Sequence, residues 1–232
     1  MALFRKQRDA DEDVAADDPT APSDAALAPR PEHGPFDVGE VPDRGDRLDV
    51  GALWLPHREG MELRMEVDKN TQVVTGASMQ LHGSALQVQV FAAPRTDGIW
   101  DEIRAEIDES VTKQGGSVDD LPGPFGRELL ARLPVRTAEG RTGHRPARFI
   151  GHDGPRWFLR GVLSGRAAVD PERARELEAL FADVVVVRGS EPRVPRDLLP
   201  LTLPGQVPVE SGGSTGPTFD PMTRGPEITE VH

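Results

Sequence analysis

Arginine is the side chain whose spacing most suggests chemistry in this sequence. Between Arg127 and Arg166 stand Arg127, Arg132, Arg136, Arg141, Arg145, Arg148, Arg156, Arg160 and Arg166 against Glu128, Glu139 and Asp153, a local net charge of +6. A guanidinium is planar, permanently charged and offers paired donors to carboxylate or phosphate, so such a run is a candidate face for an anion or an acidic partner. Arg148, Arg156, Arg160 and Arg166, which straddle one predicted hairpin, are the candidate residues. Residues 97–120 carry the opposite bias, eight acids against Arg104 and Lys113. The same arginines therefore have two plainer destinies, packing against acids of their own domain or scattering into solvent.

Other chemistries find less support. The six histidines (His33, His57, His82, His144, His152 and His232) include no pair at helical ligand spacing, and there is no cysteine, so no metal site is predicted. In Gly161-Val162-Leu163-Ser164-Gly165 the serine stands one place too late for a nucleophile elbow. Gly151 and Gly154 make no dinucleotide loop, and no phosphate-binding GxxxxGK[ST] occurs, so no cofactor is predicted. His152 beside Asp153 has the composition of an acid-base pair, yet neighbours in a hairpin turn point apart, and Asp before Gly is ordinary turn chemistry. No catalytic residue is assigned, and the reading leans away from an enzyme.

These side chains need a frame, and Ala147 to Gly165 supplies its centre. Phe149 and Ile150 on one side, and Trp157, Phe158, Leu159, Val162 and Leu163 on the other, flank His152-Asp153-Gly154-Pro155, a hairpin pattern. Gly154 is expected to take positive φ in the turn, with the second strand starting at Arg156 after Pro155. Trp157, Leu159 and Leu163 then face one way, Phe158 and Val162 the other, which predicts an inner strand covered on both faces. Gly161 marks a bulge or a close approach. Trp157, Phe158, Gly154 and Trp100 are the predicted structural core residues.

Around this hairpin the periodicity gives strands over Met61 to Val67, Val73 to Leu81, Leu86 to Phe91, Glu128 to Val135 and Val184 to Val187. Leu53-Trp54-Leu55 forms a short apolar patch. A helix over roughly 98–114, with Asp97 as N-cap, presents Ile99, Ile103, Ile107 and Val111; a second, opened by Asp170 and Pro171, presents Ala174, Leu177, Leu180 and Phe181. Pro122 to Gly126 reads as loop. The order β-β-β-α-β-β-β-α-β predicts an α+β fold on one largely antiparallel sheet with two packed helices.

The chain has 232 residues, a net charge of -12, 22 Pro and 24 Gly. Residues 1–47 are expected to be a disordered acidic tail, 48–190 the single domain, and 191–232 a Pro/Gly-rich tail whose Leu198 to Leu203 has two readings, lying along the core or, the safer one, fraying. Asp9 to Asp46 holds twelve acids against Arg30 and Arg44, enough for the tail to compete for the arginine segment. Net acidity argues against nucleic acid, no apolar run has the length of a membrane span, and the absence of cysteine suits the cytoplasm.

GMELRMEV, VQVFAAPRTDGIWDEI, ARFIGHDGPRWFLRGVLSG, VVVVRG and the terminal RGPEITEV together resemble an uncharacterised actinobacterial family, domain of unknown function 3710, over about Leu48 to Gly189 plus the final segment. The resemblance implies no known activity, cofactor or catalytic residue. The element order is also similar to the PsbP-like sandwich, an analogy of fold that carries no function. The leading expectation is a non-enzymatic interaction or regulatory domain with an arginine-bearing face for an acidic partner. The rival is a small-molecule enzyme or ligand-binding domain acting on a phosphorylated metabolite or nucleotide.

Overall fold

Period-two alternation builds the first meander of the protein. The computed structural model describes residues 34–95, 98–136 and 142–205. Three short strands, β1 (Phe36–Asp37), β2 (Leu48–Asp49) and β3 (Leu53–Leu55), precede β4 (Glu62–Val67), β5 (Val74–Leu81) and β6 (Ser84–Ala92). Leu63 and Met65 of β4, Ala77 and Met79 of β5, and Val88 and Val90 of β6 share one apolar cluster. His82 and Gly83 join β5 to β6 with positive φ at both positions (50° and 75°). That is the backbone of a type I′ turn, whose twist matches the flanking strands.

Helix α1 (Trp100–Lys113) leads to β7 (Ser117–Gly123), β8 (Gly126–Arg136), β9 (Thr142–Gly154) and β10 (Trp157–Ser164); α2 (Pro171–Ala182) and β11 (Val185–Val186) complete the elements. Seven strands form an antiparallel sheet in the order β4-β5-β6-β10-β9-β8-β7. The fold is α+β. A second sheet, β1-β11-β3-β2, corrects the expectation of a single one. The buried Val184 to Val186 run enters this small sheet, parallel to β1 and antiparallel to β3.

Strand β10 lies at the centre of the large sheet, paired along its whole length with β6 and β9. Trp157, Leu159 and Leu163 join the cluster that holds Leu177, Leu180 and Phe181 of α2. Phe158 joins the opposite cluster with Ile103, Ile107 and Val111 of α1, and Val162 packs against it. The inner, two-faced strand is thus as its sequence suggests. Gly161 is a close approach rather than a bulge: a Cβ there would lie 2.7 Å from Ile150 and 2.8 Å from Phe181, and the register with both neighbours is unbroken.

The hairpin turn differs from the one expected. His152 and Asp153 belong to β9, Trp157 pairs directly with Gly154, and the loop is Pro155-Arg156. Arg156, not Gly154, takes positive φ (66°). Pro155 sets the first turn position and leaves the left-handed one to the residue after it, the type II arrangement. Gly154 is needed because a side chain there would fall on the Trp157 ring.

Strand β7 is absent from the pattern because Asp119, Asp120 and Pro122 have little strand propensity. Its seven-residue pairing with β8, from Ser117↔Arg132 to Gly123↔Gly126, recruits it as an edge, and only Pro124 and Phe125 remain as loop. The ordered region is also wider than 48–190. Phe36 pairs with Val185, Asp37 accepts a 2.8 Å bond from Trp157 Nε1, and Leu198, Leu199 and Leu201 are buried, with Leu201 bridging Gly51 and Val74. Asp97, residues 1–33 and 206–232, and the proposed contact of the acidic tail lie outside the described residues.

Trp157 is 1% exposed and joins the two sheets. Trp157→Ala is expected to lower stability by roughly 3–5 kcal/mol in urea unfolding, the usual cost of deleting a large buried aromatic. A midpoint unchanged from the parent protein would contradict the packing described.

Candidate functional site

Strand alternation separates the four arginines singled out above. Arg148 on β9 points toward α2, where it is 9% exposed, donates to Glu178, and lies 3.4 Å from Glu128 Oε1. Glu128 is buried too, its Oε2 without a hydrogen-bond partner. Burial raises the Glu128 pKa; Arg148 opposes that shift and Glu178 adds to it. This is an internal ionic tie between β8, β9 and α2, and it has no open side for an anion.

Arg160 on β10 points to the other face and is 3% exposed. It donates to Gln89, and its guanidinium lies 5.8 Å from the Phe91 ring centre, in cation–π range. Gln89 Nε2 reaches Thr75 O at 3.3 Å, and Glu66, on the outer strand, accepts from Gln87. Burial raises the Glu66 pKa against the pull of Gln87 and Arg160. Arg166 is exposed in the short 3-10 turn Gly165–Ala168. The four arginines therefore form no common face.

Arg156 alone meets other arginines, and they are ones the sequence reading did not choose. Its Nη2 donates to Gly189 O at 3.3 Å, and Arg188 Nη1 donates to the same oxygen at 3.2 Å. Arg188 also donates to the Arg156 and Glu191 carbonyls. Burial lowers the Arg188 pKa, and the charges of Arg156 and Arg193 lower it further. The carboxylate that reaches the group is Glu191, 3.7 Å from Arg193 and itself 70% exposed. Arg156, Arg188 and Arg193, all partly buried, thus gather at the β9–β10 turn, with Glu191 as their weak counter-charge among the described residues. Repeated arginine after the Val184 to Val187 run was the available signal, but those residues are remote from Arg156 in sequence.

His152 and Asp153 face opposite ways, as neighbours in a strand must. His152 lies against Trp157, ring centres 5.8 Å apart, and burial lowers its pKa while the Glu40 charge opposes. Asp153 sits at the surface with its carboxylate turned inward onto α1, accepting from Ile99 N at 2.8 Å and Trp100 N at 3.2 Å. It supplies from β9 a cap for the start of α1, where the Ile99 side chain itself offers none. Burial raises its pKa and these two donors lower it. Trp100 is buried against Phe158 and donates from Nε1 to Arg127 O at 2.7 Å.

Residues 34–210 match the family described as protein of unknown function (DUF3710). The chain belongs to that family. The match begins before Phe36 and runs past Leu201, so it includes the β1 and Leu198 to Leu201 segments, and it leaves out the terminal RGPEITEV. No curated protein matches the chain. Among the described residues of this DUF3710 member, no group of three or more His, Asp or Glu is placed to hold a metal ion. A concavity of about 610 Å³ opens between the β5–β6 turn and the start of α2, where His82 Nε2 lies 3.5 Å from Glu176 Oε2 on exposed side chains.

The raised carboxyl at Glu128 makes a testable statement about stability. A folded pKa above the unfolded value means that the folded state holds the proton more tightly, so stability falls as pH climbs from roughly 4 through the folded value. Glu128→Gln cannot ionise and leaves Arg148 its bond to Glu178. The unfolding free energy of the variant minus that of the parent should therefore shift in the variant's favour between about pH 4 and pH 7, read from urea titrations. A difference independent of pH would contradict this assignment.

Proposed function

We propose that this DUF3710 member is a cytoplasmic interaction module that docks an acidic protein partner through the arginine cluster at the β9–β10 turn. One observation carries the reading: Arg156 and Arg188 donate to the same Gly189 oxygen at 3.3 and 3.2 Å, near Arg193, whose counter-ion Glu191 lies 3.7 Å away. Like charges held together by backbone carbonyls cost stability unless an anion relieves them, and guanidiniums pair with carboxylates in bidentate fashion. Arg188 is the scaffold, tied to three carbonyls, while Arg156 and Arg193 have donors left for a partner. The whole chain is acidic at -12 and free of cysteine. Recognition would thus rest on a local patch in a reducing compartment, and salt would screen it.

The test is fluorescence anisotropy of a labelled poly-glutamate peptide on the full chain. Arg156→Glu with Arg193→Glu should weaken binding by about tenfold or more at low salt, with the loss shrinking as salt is raised. Arg166→Glu, on a separate exposed turn, should leave it close to the parent value. Equal affinity in all three proteins would remove the proposal, as would binding of inorganic phosphate that displaces the peptide at equal concentration.

A further inference from the structure

The two edges of the large sheet are built differently. Strand β7 is blunted: Pro122 removes an edge donor, Asp119 and Asp120 are engaged by Arg132, Arg127 and Arg104, and the strand carries no continuous apolar stripe. Strand β4 lacks the proline and keeps an apolar stripe, and its irregularity lies at its end, between Glu66 and Val67. Met61 to Val67 contains no Pro, Gly or Lys, and Met61, Leu63, Met65 and Val67 are only partly buried at the margin of the core. The opposite face of the strand alternates Glu62, Arg64, Glu66, and Arg64 pairs with Glu62 along its own strand at 3.1 Å, both half-exposed or more.

That charge order is complementary to itself. We propose that β4 pairs antiparallel with β4 of a second copy about a two-fold axis at Leu63, joining two seven-stranded sheets into one. In this register Glu62 stands opposite Arg64 of the second copy, twice by symmetry, and Met61 stands opposite Met65, so opposite charges and apolar side chains each meet their kind. An axis at Arg64 would set two guanidiniums face to face, and one at Glu62 or Glu66 two carboxylates. A slip of one residue would bring Leu63 beside Arg64 and turn the apolar stripe of one copy onto the charged face of the other. An axis at Met65 would oppose Glu62 to Asp68 and run into the irregular pairing between Glu66 and Val67. The chemistry selects Leu63.

Sedimentation of the full chain should show a dimer that dissociates on dilution. Arg64→Glu puts like charges across the axis and should give monomer with an unchanged melting curve; adding Glu62→Arg restores the opposite pairs and should restore the dimer. Because the chain has no cysteine, Leu63→Cys offers one thiol per copy, placed opposite itself, and should cross-link on oxidation, whereas Arg64→Cys should not. A protein that stays monomeric through the micromolar range overturns the proposal. So does a dimer indifferent to Arg64→Glu, since it would use another surface, and so does equal cross-linking through Arg64→Cys.

Discussion

Strand β10 is bounded on every side, by β6 and β9 through backbone pairing and by the two helical layers through its side chains. A strand so placed cannot shift by one residue without exchanging Trp157, Leu159 and Leu163 for Phe158 and Arg160 across the sheet. Its neighbours are fitted to it. Gly161 leaves room for Ile150 and Phe181, and Gly151 leaves room for Trp100 and Phe158. The indole N–H of Trp157 needs an acceptor once it is buried, and Asp37 provides it. That bond draws in a stretch of chain 120 residues away whose own side chains are too sparse to order themselves.

Two arginines are spent inside this arrangement, one on each face of the sheet. Arg148 lies between Glu128 and Glu178, while Arg160 has Gln89 and the Phe91 ring. Burying a guanidinium is costly unless it is paired, so these pairings make both residues ties between elements, even with the Arg148 Nε left without a hydrogen-bond partner. Apart from these ties, Arg156 and Arg188 meet at the end of the β9–β10 hairpin, where both donate to the Gly189 carbonyl. There the turn geometry places Arg156 against the segment that follows β11.

The carboxylates show the same division. Asp153, near the end of β9, caps α1, and Arg196 reaches Glu102 and Glu106 on that helix at 2.8 and 2.7 Å. Much of the acidic surface of α1 and β7 is thus balanced by arginines of the same domain, including Arg104, Arg127 and Arg132. Packing of the acidic and basic segments against each other, one of the two plainer readings of the charge pattern, holds for this part of the molecule.

Periodicity alone was enough for the elements whose stability is a matter of apolar spacing: the β4–β6 meander, both helices with their buried faces, and the two-sided character of β10. These follow from side chains that repeat every two or 3.6 residues, a local property. Legible too was the close approach at Gly161, one of the two readings its place in the strand offered. Strand β7, the small sheet and the burial of Leu198 to Leu201 depend instead on partners far along the chain, whose pairing overrides poor local propensity. The site divides in the same way. Sequence identified arginine as the residue to watch and included Arg156, but the strand pleat sent Arg148 and Arg160 inward on opposite faces, and folding brought up Arg188 and Arg193 from beyond the window of high charge. A one-dimensional count registers how many charges a segment holds; which of them share a surface is set by pleat, turn conformation and long-range contact, and these exist only in the folded chain.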